Sequence, residues 1–323
     1  MKTLAVVGVG GLVGDKMLQL VRDRLANKVY LRLFGRSETG KRVLFGGKWI
    51  TVEPFGELLR GKINYALFAV ADNVVEDYLP KLAAKGTICI DNGATLRLRD
   101  DVPLVVPSVN GEKATSKIIA NPNCVTIPLA MVLDALSELE PYKITVATYQ
   151  AASGGGKEGL NDLLLRRRAS KTKCFSSQIF DNVLPFCGKM TNDGYTTEEH
   201  KLMDELPKIL GKPIDVNCCC VRVPVTVGHG CFVNVALKKQ LTLADIEQLL
   251  RRYPDTIVCT NQSPTPLMIR NSGYVAVGRL VKDRTANAVN MFVSSDNLLR
   301  GAAYNALEIL EIVMRNEENL CRN

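Results

Sequence analysis

Apolar and polar positions follow two different rhythms along this chain. In the first third, short apolar runs alternate with segments that place an apolar residue every three or four positions. Leu4–Gly8 is predicted as a buried strand, and Leu12–Arg24 as a helix with Leu12, Val13, Met17, Leu20 and Val21 on its inner side. Val29–Phe34 and Tyr65–Ala71 are further strands, Val74–Ala84 is a helix, and Thr87–Asp91 is again a strand. Strands alternating with helices predict a parallel, doubly wound α/β sheet. Beyond Pro122 the alternation loosens and β-branched segments lengthen. Strands are expected at Lys143–Ala152, Val216–Val227, Phe232–Leu237, Val275–Val281 and Ala288–Val293, with helices at Ile127–Leu139 and Thr242–Arg252. This second part reads as a mixed α+β domain. Asp296–Leu320 closes the chain as one long amphipathic helix.

Composition narrows the class. A chain of 323 residues suits two domains of ordinary size, and 46% hydrophobic with 23% charged residues excludes wholesale disorder. No apolar run reaches the ~20 residues of a membrane span, so no membrane partner is expected. The segment Met1–Gly14 lacks a small-residue cleavage site and is taken as part of the fold. The net charge of +8 is spread out except for a run at Arg166, Arg167, Arg168, Lys171 and Lys173. That run reads as a solvated helix end and loop. With no interleaved aromatics it gives no support to nucleic-acid binding. A basic balance does fit anionic small molecules.

The ten cysteines show no CxxC pair, and Cys218, Cys219 and Cys220 are consecutive. No metal is expected. Reduced thiols in a cytoplasmic setting fit better than a disulfide framework, with these three as buried strand residues. Only His200 and His229 are available for imidazole chemistry.

Chemistry is suggested at four places. Gly8, Gly11 and Gly14 lie between a strand and a helix, where glycine lets backbone N–H groups approach a pyrophosphate at a helix N-terminus. Where the second strand ends, Arg36 and Ser37 stand in place of the carboxylate that would hold an NAD ribose. Both suit a 2′-phosphate and favour NADP, although Glu38 argues the other way and a surface arginine in a turn is the plainer alternative. Cys124 follows Asn121-Pro122-Asn123 at the start of a helix, where the dipole and unpaired N–H groups favour a thiolate and could hold an oxyanion. A structural cysteine is the alternative. Finally, Arg222 is placed near the start of a strand and His229 just past its end, beside Gly228 and Gly230. An imidazole there could act as acid or base for a thiol. A buried Arg222 needs an anionic partner, either a substrate carboxylate or an internal Asp or Glu.

Taken in order, GVGGLVG, GRSETGK, DNGATLRLRDDVPLVVPSVN, NPNCVTIPL, YQAASGGGKEG, VRVPVTVGH and SDNLLRGAA resemble the aspartate-β-semialdehyde dehydrogenase family over essentially the whole length. The resemblance implies a Rossmann-like dinucleotide-binding domain over 1–122 plus 296–323, and a catalytic and dimerisation domain over 123–295. It implies NADP-dependent interconversion of L-aspartyl-4-phosphate and L-aspartate-4-semialdehyde, with inorganic phosphate as co-substrate and a homodimer or homotetramer as the assembly. Cys124 resembles the family nucleophile, His229 the acid/base, and Gln150 the residue that positions the acyl intermediate. Arg222 resembles the grip on the substrate α-carboxylate, Glu198 and Lys201 the pair at its amino and phosphate ends, and Arg97 and Asn123 the phosphate contacts. Cofactor contacts are implied at Gly8, Gly11, Leu12, Val13, Gly14, Arg36, Ser37, Ser153, Gly154 and Asn297, the last returning the final helix to the cofactor domain.

The match has departures. Gly230 follows the histidine where the family usually has serine, Ala69-Val70-Ala71-Asp72 replaces a glycine-rich turn, and Gly93-Ala94-Thr95 stands where serine is more usual. Glu199 competes with Glu198 for the substrate role. Another acyl-phosphate reductase, such as an N-acetylglutamyl-phosphate reductase, and a catalytically silent NADP-binding protein are the alternatives.

Overall fold

The computed structural model describes residues 1–166, 171–240 and 242–320. The chain divides into one unit of residues 1–122 with 302–323, and a second of residues 123–301.

In the first unit the elements are β1 (Lys2–Val7), α1 (Leu12–Leu25), β2 (Val29–Phe34), β3 (Arg42–Phe45), β4 (Lys48–Glu53), β5 (Tyr65–Phe68), α2 (Asp72–Ala84), β6 (Ile88–Asp91), α3 (Pro107–Asn110) and β7 (Ile118–Ala120). They form a seven-stranded sheet in the order β3-β4-β2-β1-β5-β6-β7. Every neighbouring pair is parallel except β3–β4. Leu4–Val7 of β1 and all of β5 are buried, as expected for central parallel strands covered on both faces. Met17 and Val21 of α1 share this core with Ala306, Leu307 and Leu310 of the C-terminal helix Tyr304–Leu320. That helix is pinned by ion pairs of 2.6 Å from Arg24 to Glu311 and from Lys2 to Glu317, and Tyr65 donates to the same Glu317 carboxylate.

The second unit contains α4 (Thr126–Ala135), β8 (Pro141–Gln150), α5 (Gly156–Leu164), α6 (Thr197–Leu210), β9 (Asp215–Arg222), β10 (His229–Leu237), α7 (Leu243–Arg252), β11 (Thr256–Cys259), α8 (Pro266–Ile269), β12 (Val275–Lys282) and β13 (Ala288–Ser295). Its six-stranded sheet runs β11-β12-β13-β10-β8-β9. It is mixed: β8–β9 and β11–β12 are parallel, whereas β12–β13, β13–β10 and β10–β8 are antiparallel. Residues Thr126 to Leu133 of α4 are all buried, so this helix is an internal rod with no solvent face.

Several expectations need correcting. The chain returns to the first unit at Ala302 and not at Asp296. The Asp296 carboxylate accepts from the backbone of Asn271, Leu298 and Leu299, and Arg300 donates to Gly273 and Asp255, which ties this stretch to the second unit. Nor is Asp296–Leu320 one helix: a π-helical turn at Leu299–Ala303 precedes the regular part. Arg222 is the last residue of β9 and His229 the first of β10, because Pro224 and Gly228 break the run expected as a single strand. Cys219 is exposed, since a strand turns successive side chains to opposite faces, while Cys218 and Cys220 are buried. In the basic run Lys171 and Lys173 are exposed, and Arg167 and Arg168 lie outside the described residues.

Candidate active site

In the first unit the turn after β1 is built to receive a ligand along its backbone. Gly8 has φ +105°, and an added Cβ would sit 2.3 Å from the Ala69 carbonyl oxygen. A Cβ on Gly14 would lie 2.1 Å from the Gly8 carbonyl oxygen, so α1 starts directly on the turn. Gly11 caps α1 with no side chain over its first N–H groups, and Leu12 and Val13 open the helix. Turn and helix pack so closely that only glycine fits, which leaves the backbone N–H groups at the start of α1 open to a dinucleotide pyrophosphate. Arg36 and Ser37 are exposed just past β2. Glu38 lies over Gly10 and is paired with Lys41 at 2.6 Å, which offsets its charge beside this turn. Arg97 also belongs to the first unit, where its Nη2 donates to the Asn92 carbonyl at 2.7 Å.

The second unit gathers the remaining candidates. Asn123 Oδ1 accepts from Val125 N at 2.8 Å and its carbonyl from Ile127 N at 3.1 Å, so Asn123 caps the turn that leads into α4 and carries Cys124. Its other groups reach α6: the backbone N donates to Glu205 Oε2 at 2.7 Å and Nδ2 to Glu198 Oε1 at 2.9 Å. Lys201 Nζ donates to Glu198 Oε2 at 2.9 Å. Burial opposes the Glu198 charge, yet the charge and hydrogen bond of Lys201, the Asn123 amide and the Arg222 charge together bring its carboxyl down to about 2. Glu199 is engaged elsewhere. It forms a capping box with Thr196 and accepts from Cys220 N at 2.9 Å, so of the two neighbouring glutamates only Glu198 faces Asn123 and Lys201.

Arg222 ends β9 opposite Gln150, the last residue of β8. Its Nη1 donates to the Ala151 carbonyl at 2.8 Å, and Gly154 backs onto it so closely that a Cβ there would be 2.5 Å from Nη1. Among the described residues the buried Arg222 Nε has no partner. Gln150 Nε2 donates to Thr148 Oγ1 at 3.4 Å. His229 begins β10, and its Nδ1 accepts from Ala151 N at 3.0 Å. That bond assigns the proton of the neutral ring to Nε2, which is buried and without a partner among the described residues. Burial, reinforced by the Arg222 charge, lowers the imidazole to about 3, so it is neutral near pH 7. Asn297 joins the same loops, donating to Ser153 Oγ at 3.0 Å and accepting from Gly228 N at 2.8 Å. It therefore belongs with the second unit's loops and not at a return to the first.

Gly154, Glu198, Lys201 and Arg222 line a cleft of about 420 Å³, together with Phe175 and Cys187. Burial pushes the Cys187 thiol up to about 12, against the pull of the Arg222 charge, and raises that of Cys231 as well. These thiols stay protonated near pH 7, and Cys124 sits on the turn just ahead of the Val125 cap of α4. Sequence reasoning overlooked Glu205, although it stands seven positions after Glu198 and thus on the same helical face. It also overlooked Gly301, where an added Cβ would come within 2.8 Å of Cys124 Cβ.

Comparison with known proteins gives this geometry a family. Residues 3–117 match the family model described as semialdehyde dehydrogenase, NAD binding domain, and residues 132–300 match semialdehyde dehydrogenase, dimerisation domain. The aspartate-semialdehyde dehydrogenase of Rickettsia conorii is 33% identical, with 97% of this chain and 98% of the relative covered. That of Aquifex aeolicus is 35% identical, with 97% and 98% covered. Among solved structures, aspartate semialdehyde dehydrogenase II of Vibrio cholerae, complexed with ASA, superposes with a TM-score of 0.92 at 32% identity and 98% coverage of both chains. With both domain models matched in order and relatives covered end to end, the chain belongs to the aspartate-semialdehyde dehydrogenase family.

Proposed function

We propose that the chain catalyses the NADP-dependent reductive dephosphorylation of L-aspartyl-4-phosphate to L-aspartate-4-semialdehyde, and its reverse, through a thioester on Cys124. The observation that carries this is the anchoring of the cysteine turn by Asn123 to the Glu198–Lys201 pair, in the same unit as a buried Arg222 Nε and His229 Nε2–H that have no partner among the described residues. That set presents an anion, two cations and a hydrogen-bond donor, which complements a substrate bearing ammonium, carboxylate, phosphate and a developing oxyanion.

The Cys124 thiolate forms a C–S bond to the acyl carbon, and the C–O bond to phosphate breaks with its electron pair on the departing phosphate. Lys201, with Asn123, receives the phosphate end, while Glu198 holds the substrate ammonium. Arg222 grips the α-carboxylate through the edge its Nε leaves open. When bound, the dinucleotide supplies the hydride that reduces the thioester carbon. His229 Nε2–H then donates to the oxygen of the thiohemiacetal. Because Nδ1 is taken by Ala151 N, the role expected as acid/base narrows to that of a neutral donor. Breaking the C–S bond restores the thiolate and frees the aldehyde. Gln150, at the end of β8 and paired with Arg222 at the end of β9, is assigned to orienting the acyl group.

The cofactor would be held by Gly8, Gly11, Leu12, Val13 and Gly14 at the pyrophosphate, and by Arg36 and Ser37 at a 2′-phosphate. Arg97 is assigned a phosphate contact. Ser153 and Gly154, on the loop tied to Asn297, are assigned to the nicotinamide side. A homodimer or homotetramer fits the outer face of the second sheet, where Tyr149 and Phe232 are exposed and Tyr149 stacks on Phe292 at 6.0 Å. A cytoplasmic setting fits the nine described cysteines, none of which is in a disulfide. Among the described residues no helix is long and apolar enough to cross a membrane. The decisive experiment is an assay of NADPH formation from aspartate semialdehyde with and without phosphate. Phosphate-dependent turnover with kcat/KM higher for NADP than for NAD is expected. Turnover with N-acetylglutamate semialdehyde instead would overturn the substrate, and equal use of both cofactors would overturn the role of Arg36.

A further inference from the structure

One buried carboxylate in the second unit has no place in this mechanism. Asp162, on α5, is completely buried and gathers three consecutive backbone donors. Its Oδ2 accepts from Lys173 N at 3.0 Å, Cys174 N at 2.8 Å and Phe175 N at 3.3 Å, and Oδ1 accepts from Lys173 N at 3.1 Å. A carboxylate that orders three successive N–H groups fixes that backbone far more firmly than a loop hydrogen bond would. The residue delivered by this arrangement is Phe175. Its ring lies against two glycines, since a Cβ on Gly155 would come within 3.2 Å of it and one on Gly159 within 3.0 Å. The Arg222 guanidinium lies over the same ring, 5.6 Å from its centroid. Phe175 and Arg222 line the same cleft.

We propose that Asp162 and Phe175 are positioning residues for Arg222: the Asp162 carboxylate sets the segment 173–175, and the Phe175 ring holds the guanidinium plane so that its free Nε edge meets the substrate α-carboxylate. Three restraints act on the one side chain, namely the Ala151 carbonyl on Nη1, the backbone of Gly154 behind it and the aromatic ring beside it. A guanidinium held over an aromatic ring by a cation–π contact keeps its charge while giving up rotational freedom, so less ordering is left to occur when a carboxylate binds. The result is selectivity for substrates that carry the carboxylate. This inference rests on the assignment of Arg222 to the α-carboxylate.

The test uses the full-length protein in the phosphate-dependent direction, comparing aspartate semialdehyde with 3-aminopropanal, which lacks the carboxylate. Phe175→Leu should raise KM for aspartate semialdehyde on the order of tenfold. It should lower the preference over 3-aminopropanal by the same factor and leave KM for NADP unchanged. Phe175→Tyr, which keeps the ring, should restore the preference. Asp162→Ala should follow Phe175→Leu, and Asp162→Asn, which retains one acceptor oxygen, should lie between. If Asp162→Ala does not fold, the pair Phe175→Leu and Phe175→Tyr decides the matter alone. An unchanged preference in Phe175→Leu overturns the inference. Arg222→Lys separates the two levels: if it leaves KM unchanged, the carboxylate assignment itself fails, whereas a raised KM there with an unaffected Phe175→Leu removes only the positioning role.

Discussion

The two units solve the problem of holding a charged ligand in opposite ways. In the first, the candidate ligand surface is backbone: a glycine turn, the bare start of α1, and exposed Arg36 and Ser37 beyond β2. In the second, buried ionic and polar side chains converge, with Glu198, Arg222, His229, Asn123 and Gln150 all nearly out of solvent. A backbone cradle demands small residues and tolerates little else, because its geometry is the chain path itself. A cluster of buried charges demands mutual compensation, because each member would be costly to keep there alone. The first kind of site should therefore fail through steric insertion, and the second through loss of a single functional group.

The largest effect should come from the second unit. Cys124→Ser is expected to lower turnover by at least about a thousandfold, as removal of a covalent nucleophile does, while NADP binding followed by fluorescence titration stays intact. Near-normal activity would end the thioester route. A substantial but smaller effect should arise in the first unit from Gly14→Ala, whose new methyl group would press on the Gly8 carbonyl oxygen 2.1 Å away. Dinucleotide affinity should fall at least tenfold, with a destabilisation of about 1–3 kcal/mol in denaturant unfolding. Unaltered affinity would show that the turn is not where the cofactor rests.

The smallest effect sharpens the comparison through pH. The His229 imidazole is lowered from 6.5 to about 3 in the fold, so between those values the unfolded chain binds the extra proton. Its contribution to stability is complete above about 6.5 and is lost as pH falls toward about 3. His229→Gln should flatten that part of the stability–pH curve in denaturant titrations, and the same slope in both proteins would contradict the buried neutral ring. In the wild type, kcat/KM should show no acid limb near pH 6.5 from this group.

The same contrast explains what could be read from the sequence. Parallel strands such as Leu4–Val7 and Val29–Phe34 are continuous apolar runs, and the strand–helix rhythm and glycine turn stand out without any tertiary knowledge. The β3–β4 hairpin was missed although Gly46-Gly47, both at positive φ, is a strong two-residue turn signal. In the second unit Cys124, His229 and Arg222 were visible as candidate residue types, but their placement was not. Pro224 and Gly228 divide a β-rich run into a strand end and a strand start, which is how Arg222 and His229 come to flank one loop. Asp162, Phe175 and Glu205 act through contacts between residues distant in sequence, and no local spacing announces those.

Each polar atom of Asn123 makes at least one hydrogen bond, and this network reaches beyond its own turn. Glu198 and Glu205 lie two turns apart along one face of α6 and seize the same residue, one at the amide side chain and one at the main chain. Under the proposed thioester route the neighbouring sulfur takes its aim from α6, so a slip of that helix by even a fraction of a turn would turn Cys124 away from the acyl carbon. Variation along α6 that touches no ligand should for this reason tune the speed of bond formation, much as adjusting a mount redirects a lens without touching the glass.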